Sequence, residues 1–209
     1  DTPAAAVRGG GGGDMMLLSM LKDLRKSMSK RLNLQTWVIF SDASLEDMSI
    51  MYPVTYDELK NCQGVGEGKA RKFGKEFIEL IGKYVQENDI DRPDDFVVKS
   101  VVNKSANKVF IIQSIDRKLS LEDIAGNRGL DMNELLSEIE AIVYSGTKLN
   151  LNYYIEQIMD EDTMQDIYDY FREDAETDSI DEAMNELGPD YDEQCIRLVR
   201  LKFLCEVAN

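Results

Sequence analysis

The stretch with the most chemical promise is Gly64-Val65-Gly66-Glu67-Gly68-Lys69-Ala70, because glycines spaced closely ahead of a lysine can bring backbone N–H groups to a phosphate. As a nucleotide-binding loop it fails: Gly64 and Gly68 have three residues between them instead of four, and Ala70 stands where a hydroxyl must hold magnesium. As a helix–hairpin–helix it works, since Gly64 and Gly66 allow a tight turn, Val65 packs inward, and the next helix offers free N–H groups at its start. Such a start suits a DNA phosphate. Glycines that merely let two helices pack closely are the competing reading. Elsewhere the chemistry is sparse. The 209 residues include no histidine, which removes the commonest general base, every Ser-His or Cys-His pair and most zinc sites. Cys62, Cys195 and Cys205 lie far apart, so a disulfide framework is not expected and a reducing compartment fits. Asp160-Glu161-Asp162 lacks the glycine and alternating oxygen ligands of a calcium loop. The expectation is a chain with no catalytic residues, no metal and no cofactor of its own.

Helices must position whatever these residues do. Leu17, Leu18, Leu21, Leu24, Met28 and Leu32 recur at helical spacing and predict one amphipathic helix over Met15–Leu32, whose other face carries Lys22, Arg25, Lys26, Lys30 and Arg31. After a turn at Asn33–Thr36 comes Trp37-Val38-Ile39-Phe40. Ser44 with Asp47 reads as a helix opening that Pro53 closes, and Thr55-Tyr56-Asp57-Glu58 as a capping box. Two helices separated near Gly74 come next, the second striped by Phe77, Ile78, Ile81 and Val85. Asp89–Asp95, with Pro93 and four acids, reads as linker. Beyond it, Val109–Ile115 suggests a helix, Ser120–Val143 two more joined at Gly129–Asp131, Asp160–Glu193 an acidic run compatible with helices, and Tyr191–Val207 a buried helix.

The division is therefore residues 1–14 as a Gly-rich linker, 15–88 as a first helical domain, 89–104 as a linker and 105–209 as an acidic helical domain. Charge supports it, because residues 15–88 hold 11 Lys/Arg against 10 Asp/Glu, whereas residues 98–209 hold 11 against 24. The first residue is Asp1 rather than Met and nothing at Asp1–Asp14 resembles a signal sequence, so the chain reads as an excised fragment; no apolar run is long enough to span a membrane, and the helical patterning gives an all-α fold.

Met16–Val85 resembles the HRDC domain, the helicase and RNase D C-terminal module, in the order and spacing of its basic first helix, Trp37-Val38-Ile39-Phe40-Ser41-Asp42-Ala43-Ser44-Leu45, Pro53, Gly64-Val65-Gly66 and Lys72-Phe73-Gly74. Within that family the Val-Ile-Phe-Ser-Asp and Phe-Gly-Lys forms look most like bacterial RecQ helicases. The resemblance implies a five-helix fold that binds single-stranded or structured DNA weakly and assists an upstream ATP-dependent helicase core in repair and recombination, in the bacterial cytoplasm at the nucleoid. It also implies DNA contacts on the basic residues and on the aromatic before Val-Ile-Phe, here Trp37. The candidate nucleic-acid-binding residues are thus Trp37, Lys22, Arg25, Lys26, Lys30, Arg31, Gly64, Gly66, Lys69 and Lys72. A base can stack on an indole while neighbouring cations track phosphates. Trp37 plugging the core between the first two helices, and a basic face that is only solvated, remain the alternatives.

Ser120-Leu121-Glu122-Asp123-Ile124-Ala125-Gly126-Asn127-Arg128-Gly129-Leu130, followed by Leu135, has helix–turn–helix spacing and resembles the C-terminal extension of some RecQ proteins. Glu138 stands where an apolar residue is usual, with Ile139 one position later, so the second helix is expected to be rotated. That helix carries Asp131, Glu134, Glu138 and Glu140 and no cation, which favours a structural or protein-contacting role over DNA reading. Two further functions stay open: a protein-interaction fragment without DNA affinity, and the tail of an RNase D-like nuclease.

Overall fold

The computed structural model describes residues 12–92 and 106–209, and among the described residues every regular element is helical. The expectations placed on residues 1–11 and 93–105 lie outside that range. The first five helices are α1 (Met15–Leu32), α2 (Thr36–Ile39), α3 (Asp42–Met51), α4 (Tyr56–Leu59) and α5 (Glu67–Glu87). Asp14 is the N-cap of α1. Its carboxylate accepts from the Leu17 N–H at 3.0 Å and from the Tyr52 and Tyr84 hydroxyls, so it belongs to the bundle and not to the Gly-rich linker. Burying Leu17, Leu21 and Met28 fixes which face of α1 turns inward and leaves the cationic face outside.

Three local expectations are corrected. The cap of α3 is Ser41, whose hydroxyl accepts from the Ser44 N–H, while Ser44 is buried and donates to the Gln63 carbonyl at 2.7 Å. Thr55 caps α4, but the Glu58 carboxylate accepts from the Val54 N–H and from Arg92, so the capping box is not reciprocal. Helix α5 runs unbroken through Gly74, because the absent side chain there leaves room for Leu59: a Cβ would lie 2.6 Å from Leu59 Cδ2. Phe40 packs edge-on against Phe77 and Phe73, with centroids 4.9 and 6.4 Å apart, and closes this core.

The remaining elements are α6 (Ala106–Asp116), α7 (Leu121–Arg128), α8 (Met132–Tyr144), α9 (Asn152–Ile158), α10 (Glu161–Asp169), α11 (Ile180–Leu187) and α12 (Glu193–Val207). Every residue of α12 from Cys195 to Leu201 is buried, as expected of a helix surrounded on all sides, and α8, α9, α10 and α11 pack against it. Helix α10 passes into a π-helical turn, Tyr170–Asp174, closed by the Ala175 N–H donating to the Tyr170 carbonyl at 2.8 Å. The wider turn lets the consecutive aromatics Tyr170 and Phe171 both face inward. No helix among the described residues is long and apolar enough to cross a membrane.

Candidate nucleic-acid interface

On α1, Lys22, Lys26 and Lys30 recur every fourth residue and all are exposed, a ladder of cations in steps of about 6 Å. Arg25 and Arg31 are more committed. Arg25 donates to the Phe40 carbonyl at 2.9 Å and pairs with Asp42 at 2.7 Å, which holds the Asp42 carboxyl below its ordinary range, while Arg31 pairs with Glu76. Arg25 is thus largely a strut between α1 and α3, and Arg31 is partly neutralised.

The hairpin forms as its residues require. Gly64 sits at φ +70, where a side chain would be strained, and Val65 is buried. The start of α5 departs from the expectation of free N–H groups, because the Glu67 N–H donates to the Ser145 carbonyl at 3.1 Å. A Cβ on Gly66 would lie 2.1 Å from the Tyr144 carbonyl oxygen, and one on Gly68 2.9 Å from Gly146 Cα. This end of the helix is therefore pressed against backbone from the second half of the chain, and these glycines are what permit the approach.

Trp37 lies on the same seam. It is buried, 7% exposed, and so presents no solvent-facing platform. Its indole N–H donates to the Ala175 carbonyl at 2.9 Å, and its ring meets Phe171 edge-on at 6.3 Å and Phe203 at 6.0 Å. Beside it the Gln35 amide donates to the Glu173 carbonyl at 2.6 Å. Lys69 is 8% exposed, with its ammonium 3.5 Å from the Trp37 carbonyl; burial pulls its pKa down to about 8, and Asp178 acts in the opposite direction. Lys72 remains on the surface, its pKa lowered first by partial burial and then by the nearby Lys148 of the second half. Of the ten residues anticipated for DNA, the structure leaves Lys22, Lys26, Lys30, Arg31, Lys72 and Gly64 exposed, turns Arg25 inward, and covers Trp37, Lys69 and much of Gly66. Nothing in the sequence pattern pointed to Phe171, Ala175, Asp178 or Ser145 as their neighbours.

Residues 14–81 match the HRDC domain, and residues 105–155 match the RecQ-1-like helix-turn-helix domain. The chain is similar to the HRDC and helix–turn–helix C-terminal region of RecQ helicases. Among curated relatives, it is 37% identical over 73 residues to an ATP-dependent DNA helicase RecQ of Bacillus subtilis, covering 35% of this chain and 12% of that protein. It is 31% identical over 77 residues to the RecQ helicase of Haemophilus influenzae, covering 37% and 12%. It is also 31% identical over 80 residues to the ATP-dependent DNA helicase Q-like 4B of Arabidopsis thaliana, covering 37% and 7%. The match thus spans about an eighth or less of the length of each relative.

In the helix–turn–helix unit, α8 buries Leu135, Leu136, Ile139, Ile142 and Val143. Ile139 is buried in the core and Glu138 lies half-exposed. The polar stripe of α8 is occupied from within the chain. Arg197 of α12 donates to Asn133, to Ser137 and, at 2.7 Å, to Glu140. Arg200 shares the Glu140 carboxylate at 3.0 Å and donates to the Asp178 carbonyl at 2.6 Å, while the Tyr144 hydroxyl donates to the Asp178 carboxylate at 2.7 Å. These bonds tie the far end of the Glu173–Asp178 segment to α8 and α12, and its near end meets Trp37 and Gln35. Among the described residues, no group of three or more His, Cys, Asp or Glu side chains could hold a metal ion.

Proposed function

We propose that the chain is an accessory region of an ATP-dependent DNA helicase of the RecQ kind, and that its HRDC unit binds single-stranded DNA weakly while an upstream core supplies ATP hydrolysis. The observation that carries this is the exposed Lys22–Lys26–Lys30 ladder on the first helix of an HRDC unit. Three cations on one helix face can follow consecutive phosphates without reading sequence, whereas Trp37 and Lys69, covered in this structure, could add a base stack and a further charge only where they are uncovered. The helix–turn–helix unit is assigned a structural role, because an acidic α8 whose polar stripe already binds Arg197 is a poor partner for a DNA groove.

Fluorescence anisotropy with labelled oligo-dT, titrated at several salt concentrations, tests the reading. Binding by the whole chain should weaken steeply with salt, and the variant with Lys22, Lys26 and Lys30 all changed to alanine should lose about two units of log–log slope, at roughly 0.7 per phosphate contact on single strands. An unchanged slope would remove the ladder from the interface. Absence of DNA binding in the wild-type chain and in variants that uncover Trp37 would favour a protein-interaction role instead.

A further inference from the structure

The segment Phe171–Asp178, a π-helical turn that runs into non-helical chain, lies against the HRDC unit at Trp37 and Gln35. It offers an aromatic ring to the indole, backbone carbonyls to the Trp37 and Gln35 donors, and the Asp178 carboxylate to the field of Lys69. A base, a sugar–phosphate oxygen and a phosphate would use the same indole, the same donors and the same ammonium, the base by face stacking where Phe171 meets the ring edge-on. The surrounding run from Asp160 to Glu193 carries fifteen acids and one cation, Arg172, so its charge resembles that of a nucleic acid. Its position is imposed from behind, since Arg200 and Tyr144 hold Asp178 and the π-helical turn presents Phe171. From these contacts we infer that Phe171–Asp178 is a built-in competitor for single-stranded DNA: while it is docked it occupies the Trp37–Lys69 face, and DNA gains that face only when the seam between the two halves opens.

This rests on the proposal that the HRDC unit binds DNA, and it adds what regulates the binding. A strand can still engage the Lys22–Lys26–Lys30 ladder in the docked form, through charge alone. Opening adds stacking on Trp37 and the Lys69 charge, and removes the repulsion of the acidic run from the immediate site. The observed affinity of a protein whose competent state is a fraction of the population is reduced by that fraction.

Gly68 allows a test that spares the proposed DNA contacts. It lies in the first turn of α5, where alanine or leucine is a better helix former than glycine, and its missing Cβ faces the backbone of Gly146. Gly68→Leu should therefore wedge the seam while leaving the HRDC core and the α1 ladder intact. Trp37, the single tryptophan of the chain, reports the result directly. In the wild-type chain its emission should be blue-shifted and shielded from acrylamide; in Gly68→Leu it should be red-shifted and quenchable, and oligo-dT should bind about tenfold more tightly, the change expected when an open fraction near a tenth rises to near one. Gly146→Leu, which attacks the same seam from the other side, should do the same. An exposed Trp37 with unchanged, still salt-sensitive DNA affinity would overturn the competition while leaving the DNA-binding role standing. An exposed Trp37 with no DNA binding at all would overturn both. A Trp37 that stays shielded in both variants would also overturn the inference, because the seam at Gly68 and Gly146 would not be what covers the indole.

Discussion

At the scale of single residues, Lys69 bears a cost that can be measured. Its ordinary pKa of 10.5 falls to about 8 on burial, so the native structure holds its proton less tightly than the unfolded chain does. Below about pH 8 the buried ammonium opposes the closed structure, and this opposition fades as pH rises from about 8 toward 10.5. Thermal melts followed by circular dichroism should show the wild-type Tm climbing relative to Lys69→Met across the lower part of that window. Tyr52 and Tyr84 limit the upper part. Their pKa values are pushed up to about 12 by burial and by Asp14, so the stability they contribute is lost as pH rises above their ordinary 10.0. Parallel melting curves for wild type and Lys69→Met between pH 8 and 10 would show that Lys69 is not withdrawn from water.

At the scale of elements, two glycines of α5 should respond in opposite senses to the same change. Nothing lies within 4 Å of a Cβ built on Gly82, so Gly82→Ala should stabilise the chain by about 0.5–1 kcal/mol through helix propensity and the unfolded state. Gly74→Ala gains the same propensity but drives Leu59, which is fully buried, out of its place; overpacking of roughly 1–3 kcal/mol outweighs the gain. Urea midpoints that move in the same direction for both variants would contradict the packing at Gly74. The same glycine shows where legibility ends. The limits of α1 and the pairing of α7 with α8 follow from apolar spacing, which is local information. A helix break at Gly74 and a cap at Ser44 were reasonable from composition, but the real choices were made by Leu59 and by the Gln63 carbonyl, partners that no periodicity reveals. The α1 ladder was readable for the same reason that α1 was. The fate of Trp37 was not, since its partners Phe171, Ala175 and Phe203 lie more than a hundred positions along the chain.

At the scale of the molecule, the charge break marks two halves of different kind and does not say whether they pack together; the contacts across the seam join them from Gln35 to Lys69 on one side and from Tyr144 to Asp178 on the other. A protease that cuts between residues 92 and 106 should therefore yield two bands on a denaturing gel and one peak in native size exclusion, with separate peaks expected for the Gly68→Leu variant. Two peaks from the nicked wild-type chain would mean the seam is too weak to hold without the covalent link. The placement of α12 has a consequence for synthesis. Helices α8 to α11 all close upon it, yet it comes after every one of them in the sequence, so during translation they leave the ribosome before the surface they are meant to cover exists. The local helical contacts of the first half can form early, but Trp37 gains its Phe203 neighbour only when α12 emerges, so the nascent chain carries exposed apolar surface of the kind that chaperones bind.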